Sequence, residues 1–187
     1  MRWLLMTLTA MAACAAQAAD YQAQAGSAVG FTATYQGEAF AGSFGNFQPQ
    51  IRFDPANLAE SRFDVRIALS SANTKNSERD EMLKGSEFFD VGRQPEARYV
   101  ATKFRALGGN RFVADGVLTL HGVSKPAPLT FTWTAGAKPT LDGTAALKRL
   151  DFNVGTGDWT DLDLIPNDVK VSTHLLLAPL AAAKPTK

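Results

Sequence analysis

The amino-acid sequence predicts an all-β fold, a closed antiparallel barrel of about eight strands with one short helix in a connecting loop near one end. Three observations predict it. Apolar and polar residues alternate with period two in separate runs, clearest at Phe63, Val65, Ile67 and Leu69 against Arg62, Asp64, Arg66 and Ala68. Such alternation puts one face of a strand in a core and the other in water. The runs are divided by turn signals such as Phe53-Asp54-Pro55, Gly108-Gly109-Asn110 and Leu141-Asp142-Gly143. About eight strands is also the number at which a barrel closes around side chains or one small ligand, and closure removes exposed edges.

In chain order, the first segment stands apart from this pattern. Arg2 precedes an apolar run from Trp3 to Ala13 and the small-residue stretch Ala15 to Ala19, the pattern of a secretory signal peptide. Ala16-Gln17-Ala18 sets the expected cut after Ala18, with Ala19 the near alternative. Residues 1–19 are therefore expected to be signal, 20–178 the barrel and 179–187 a disordered tail, clearest from Ala181 to Lys187. The expected location is the periplasm. A lipidated Cys14, preceded by Met11-Ala12-Ala13, is a minority alternative.

Cys14 is the only cysteine, so the exported chain relies on packing and not on disulfides. Without Arg2 it carries 18 basic and 18 acidic residues. Formal neutrality argues against nucleic acid or an anionic membrane surface as the main partner.

The expected strands then follow at Val29 to Tyr35, Phe47 to Phe53, Arg62 to Ser70, Arg98 to Phe104, Phe112 to Leu120, Leu129 to Thr134, Leu141 to Phe152 and Val169 to Thr173. One segment breaks the alternation. Ser77-Glu78-Arg79-Asp80 reads as a helix N-cap with an acidic first turn, Lys84 lies in the last turn, and Gly85 stops the helix. With Met82, Leu83 and Phe88-Phe89, this connection is the candidate lid over one end.

Four landmarks in this order resemble the YceI-like family of periplasmic polyisoprenoid-binding proteins, from about Tyr21 to Leu177. They are Gly26 to Phe31 with Gly42-Ser43-Phe44 and Phe53-Asp54-Pro55; Arg79-Asp80, Leu83, Phe88-Phe89-Asp90 and Pro95-Glu96-Ala97; Gly116 to Pro126; and Arg149, Phe152, Gly155, Gly157 and Trp159. The resemblance implies a lipocalin-like eight-stranded barrel, often a homodimer, whose interior takes a polyprenyl phosphate, a quinone tail or another long-chain lipid. The chain departs from the family pattern at Gly26 and Met82, where many members carry histidine, and at Gln94, an aromatic position.

Twelve Phe, three Trp and three Tyr suit a tube lined by rings, although the same rings could fill a solid core. Phe31, Tyr35, Phe47, Phe63, Phe88, Phe104, Phe112, Phe131, Trp133, Phe152 and Trp159 are the expected ligand-facing rings, in a tube running roughly 26 to 34 Å at about 3.3 Å per residue. Burying an isoprenoid gains on the order of 0.8 kcal/mol per CH2-sized group before ordering costs. Arg79 is the first candidate for a head group, with Lys84 and Arg149 behind it, while pairing of Asp80 with Arg79 and Lys84 is the competing expectation.

No catalytic, metal or cofactor residue is expected. His121 and His174 fall on separate strands, and His174 has the solvent-side phase of Lys170 and Ser172. Asp158, Asp161, Asp163 and Asp168 lack the ligand order of a calcium loop. A non-enzymatic carrier is the leading reading. An enzyme acting on such a ligand inside the cavity and a filled barrel serving as an envelope interaction module stand behind it; an outer-membrane barrel ranks last.

Overall fold

The computed structural model describes residues 19–180, so residues 1–18 of the expected signal segment, with Cys14, lie outside the described residues, as does the tail from 181. The strands are β1 (Ala19–Ala23), β2 (Ala28–Tyr35), β3 (Glu38–Phe44), β4 (Phe47–Phe53), β5 (Arg62–Ala68), β6 (Ala72–Asn73), β7 (Glu96–Gly108), β8 (Arg111–Leu120), β9 (Val123–Pro126), β10 (Leu129–Thr134), β11 (Thr140–Lys148) and β12 (Asp168–Pro179). The helix α1 spans Ser77–Lys84. β12 includes Pro179, so the strand reaches one residue past the expected domain boundary.

Every pairing is antiparallel, and the sheet closes on itself where Tyr21 and Ala23 of β1 meet Pro179 and Leu177 of β12. The eight walls are longer than single segments. β1 and β2 lie one after the other along β12, with Ala23 opposite Leu177 and Ala28 opposite His174. β3 and β4 likewise follow one another along β2 and β1, and β6 continues β5 along β3. β9 pairs only with β8.

The breaks have local causes. Gly26, at φ +95, turns the chain between β1 and β2, a conformation that other residues adopt only with strain. The break at Gly45-Asn46 is stitched to the one at Leu69–Ser71: the Gly45 amide donates to Ser71 O at 3.1 Å and the Asn46 amide to Ser71 Oγ at 3.0 Å. The backbone groups released from the ladder are thus paired again.

Two apolar clusters stack inside the barrel, one on each side of the breaks. Around Phe53 the interior is solid: its ring centroid lies 5.1 Å from Phe112, 5.2 Å from Phe131 and 4.9 Å from Trp133. Small residues at Ala101 and Ala114 make room for these rings. The second cluster gathers Phe31, Leu69, Leu83, Phe88, Phe89 and Phe152 under α1 and the loops beside it. The molecule is therefore plugged at one end and hollow towards the other.

Candidate functional site: an apolar cavity under a helical roof

The hollow half encloses a cavity of about 410 Å3. Its wall comes from alternate residues of β2, β5, β11 and β12, among them Val29, Phe31, Ile67, Leu147 and Val171. Period-two alternation turns each of these side chains inward, which is why a polar outer face and an apolar wall coexist in one strand. Gly42 is essential to this wall, because a Cβ there would lie 2.3 Å from Cζ of Phe31. The floor is the upper surface of the plug, where Ile51, Phe63 and Leu141 meet the cavity. Tyr99 also faces it, donates its hydroxyl to Ala114 O at 3.0 Å and has its pKa pushed up by burial.

The roof has two parts. Asn76 caps α1, accepting from the Arg79 amide at 3.0 Å, so the cap lies one residue before the expected Ser77. Leu83 points into the interior while Met82, at 42% exposure, stands at the mouth. The second part is the loop from Arg149 to Pro166, organised around the buried Arg149 guanidinium. Its Nε donates to Pro166 O, Nη1 to Val154 O and Gly155 O, and Nη2 to Trp159 O and Ile165 O. All five guanidinium donors are thereby used on backbone carbonyls, and burial pulls the Arg149 pKa down. Gly155 packs against this group so tightly that a Cβ would fall 2.2 Å from Nη1.

Glu87 ties the two parts together. Its carbonyl accepts from the Gly155 and Thr156 amides, and its carboxylate from Trp159 Nε1 at 2.8 Å. His121 reinforces the same region, its Nδ1 lying 2.9 Å from Asn153 O.

The sequence-predicted rings divide between the two halves. Phe31, Tyr35, Phe63, Phe88, Phe152 and Trp159 face the cavity, as does Arg79. Phe112, Phe131 and Trp133 are buried in the plug, and Phe47 and Phe104 pack against it. A tube open along the whole barrel is thus replaced by a cavity confined to one half, because rings from neighbouring strands meet at one level and exclude the space between them.

The polar candidates also separate. Arg79 donates from Nε to Thr74 Oγ1 at 2.9 Å and from Nη2 to Thr74 O at 3.1 Å, and its guanidinium lies 4.1 Å over the Phe40 ring. Asp80 accepts from the amide and hydroxyl of Thr74, and Lys84 donates to Glu81 at 2.7 Å, so the expected pairing of Asp80 with Arg79 and Lys84 is not the one formed. Arg79 keeps unused N–H groups beside the cavity. Lys84 is absent from the cavity wall, and Arg149 reaches it with no donor to spare. Glu87, Met82 and Ile165 belong to the roof and were not singled out as site residues by the sequence; the only signal for Met82 was its place in the apolar set of the lid.

His174 lies outside the barrel, with Nδ1 2.5 Å from Asp142 Oδ1 on the neighbouring strand. Among the described residues no three His, Cys, Asp or Glu side chains converge as metal ligands.

A closed antiparallel barrel with an apolar chamber opening at one end defines the lipocalin-like class. Within it, the chain belongs to the family described as YceI-like domain, whose pattern matches residues 21–177. A UPF0312 protein of Vibrio parahaemolyticus is 30% identical over 169 residues, 83% of this chain and 89% of that protein. Among solved structures, BcnA of Burkholderia cenocepacia superposes with a TM-score of 0.78 at 30% identity, covering 82% of this chain and 97% of that one. A domain from Saccharophagus degradans described as polyisoprenoid binding shares the fold with a TM-score of 0.66 at 18% identity, over 87% and 99% of the two chains.

Proposed function

We propose that the protein is a periplasmic carrier or sequestering protein that encloses the tail of a polyisoprenoid or similar long apolar molecule in the hollow half of its barrel. The cavity carries this reading: about 410 Å3 lies within the roughly 300–1,000 Å3 of small-molecule sites, and nearly every lining side chain is apolar. Such a wall gives affinity through area and leaves selectivity to the mouth, where Arg79 is the donor for a polar head. The description of the Saccharophagus domain points the same way.

The reading is of a binding protein and not an enzyme. Tyr35, Glu78, Arg79, Tyr99 and Arg149 are the titratable side chains at the cavity wall; of these Arg149 and Tyr99 are committed to backbone carbonyls. The outer face also opposes a membrane barrel, since Arg52, Asp64, Arg98 and Arg105 stand where lipid-facing residues would be. Export by residues 1–18 or 1–19 and a homodimer belong to the same proposal; N-terminal sequencing of the secreted protein and its mass in solution test them.

The central test is native mass spectrometry of protein purified from its own periplasm, with solvent extraction of any released lipid. A stoichiometric polyprenyl or quinone species is expected. Protein at its bare mass that also fails to bind added apolar chains overturns the proposal.

A further inference from the structure

From Ala19 onward, where the described residues begin, the sequence contains no cysteine and a single methionine, Met82. The other sulfur atoms, in Met1, Met6, Met11 and Cys14, all precede that point. The barrel's one sulfur atom therefore belongs to its roof. Met82 lines the cavity from the second half of α1 and is 42% exposed, while its neighbour Leu83 is buried. Contact with an apolar chain inside and access for small solutes outside thus fall on the same side chain. Thiolates and thioethers are the side chains that peroxides oxidise most readily, and in this barrel a peroxide finds one such target.

Arg79 gives oxidation at this point a consequence. It stands at i and Met82 at i+3 on α1, so the two share a helix face, and both border the cavity. The Arg79 Nε and Nη2 atoms donate to Thr74, and the guanidinium keeps further N–H groups unused. A thioether is a weak acceptor that leaves those groups free, whereas a sulfoxide oxygen is polar and accepts well. Resting on the reading of the cavity as a site for an apolar chain, we propose that Met82 is an oxidation site whose sulfoxide weakens ligand binding. The new oxygen takes the Arg79 donor that a ligand head would use and makes the apolar mouth polar. In the step, the sulfur gives an electron pair to one oxygen of hydrogen peroxide, an S–O bond forms and the O–O bond breaks. The second oxygen leaves with both protons as water, so the thioether loses two electrons and the peroxide gains them.

Protein purified from the periplasm is treated with dilute hydrogen peroxide until intact-mass measurement shows one added oxygen, and peptide mapping is expected to place it on Met82. Titrated with geranylgeraniol, the sulfoxide form should bind roughly fivefold or more weakly than untreated protein. Bound geranylgeraniol should in turn slow the oxidation of Met82. Met82→Leu, compared with its own untreated form, should bind equally before and after peroxide. Met82→Gln sets a polar acceptor at the same place without oxidation and should bind more weakly than Met82→Leu. Thermal melts of every form separate loss of affinity from loss of fold. Equal affinity of the sulfoxide and untreated forms overturns the inference, as does an equal peroxide-induced loss in Met82→Leu. If untreated protein binds no geranylgeraniol, the cavity reading fails and the inference falls with it; a native protein that binds but is indifferent to its sulfoxide sinks the inference alone.

Discussion

Arg149 shows how one residue can organise a site without touching what the site holds. Five carbonyls of the Arg149 to Pro166 loop converge on its guanidinium, and no carboxylate shares it. Arg149→Met would leave these carbonyls without their donors, and a loss of about 3–5 kcal/mol is expected in urea unfolding, the scale for breaking a buried charged network. Gly155→Ala should act through the same contact, since its Cβ would displace Nη1 and its φ of +80 disfavours any side chain. Asp64 is a contrasting case on the outer face. Hydrogen bonding from Arg98, with Arg62 assisting, holds its carboxyl below the ordinary 3.8. A lowered folded-state pKa contributes stability that is fully present above the unfolded value and is lost as pH falls through the folded one. The melting-temperature gap between the native protein and Asp64→Asn should therefore be constant from neutral pH to about 5 and shrink below about 4. A gap that persists into strong acid would show that the ion pair is not its source.

At the level of elements, the plug and the roof are built for different tasks. The plug is a cross-strand stack in which Phe53, 1% exposed, touches five other rings. Phe53→Ala is expected to cost about 3–5 kcal/mol in chemical denaturation, as for large aromatic truncations in packed cores. The roof rests on a helix of 8 residues, too short to be stable alone, and on hydrogen bonds to Glu87. Asn76→Ala removes the cap of α1 and should cost about 1 kcal/mol. If α1 gates the cavity, that variant will release a bound chain faster in stopped-flow dilution, while its melting temperature falls by only about 2–4 °C. Unchanged release would mean that the ligand leaves by another route.

At the scale of the molecule, a solid half and a hollow half share one closed wall, so stability and capacity should be separable. Ala145→Phe places a ring in the cavity from the middle of β11. It should abolish binding of geranylgeraniol while leaving the melting temperature equal to or above that of the native protein, because it fills space without opening any. A marked fall in melting temperature would show that the cavity is too tightly packed to hold such a ring. In the native protein, ligand at a hundredfold excess over Kd should add about 2.7 kcal/mol of stability. Amide exchange should be slowest in β4, β5 and β8 around Phe53 and fastest in the roof.

The sequence by itself determined β2, β4, β5, β7, β8, β10, β11 and β12 and the position of α1, because these depend on local periodicity and on residues within a turn of one another. Each was legible in runs such as Phe63 to Leu69 and in Ser77 to Gly85, although the cap itself fell one residue earlier, on Asn76. β1 was hidden because Tyr21 is its one large apolar residue, and β3 because Glu38 to Phe44 has small residues at Ala39, Ala41, Gly42 and Ser43. Only the tertiary structure decided that Phe112, Phe131 and Trp133 fill a plug while Phe31, Phe88 and Phe152 face space. That division follows from the height at which each ring enters the barrel, which is set by registers between residues as distant as Tyr21 and Pro179. Alternation along one strand tells which way a side chain points; what it meets there depends on the strands across the barrel.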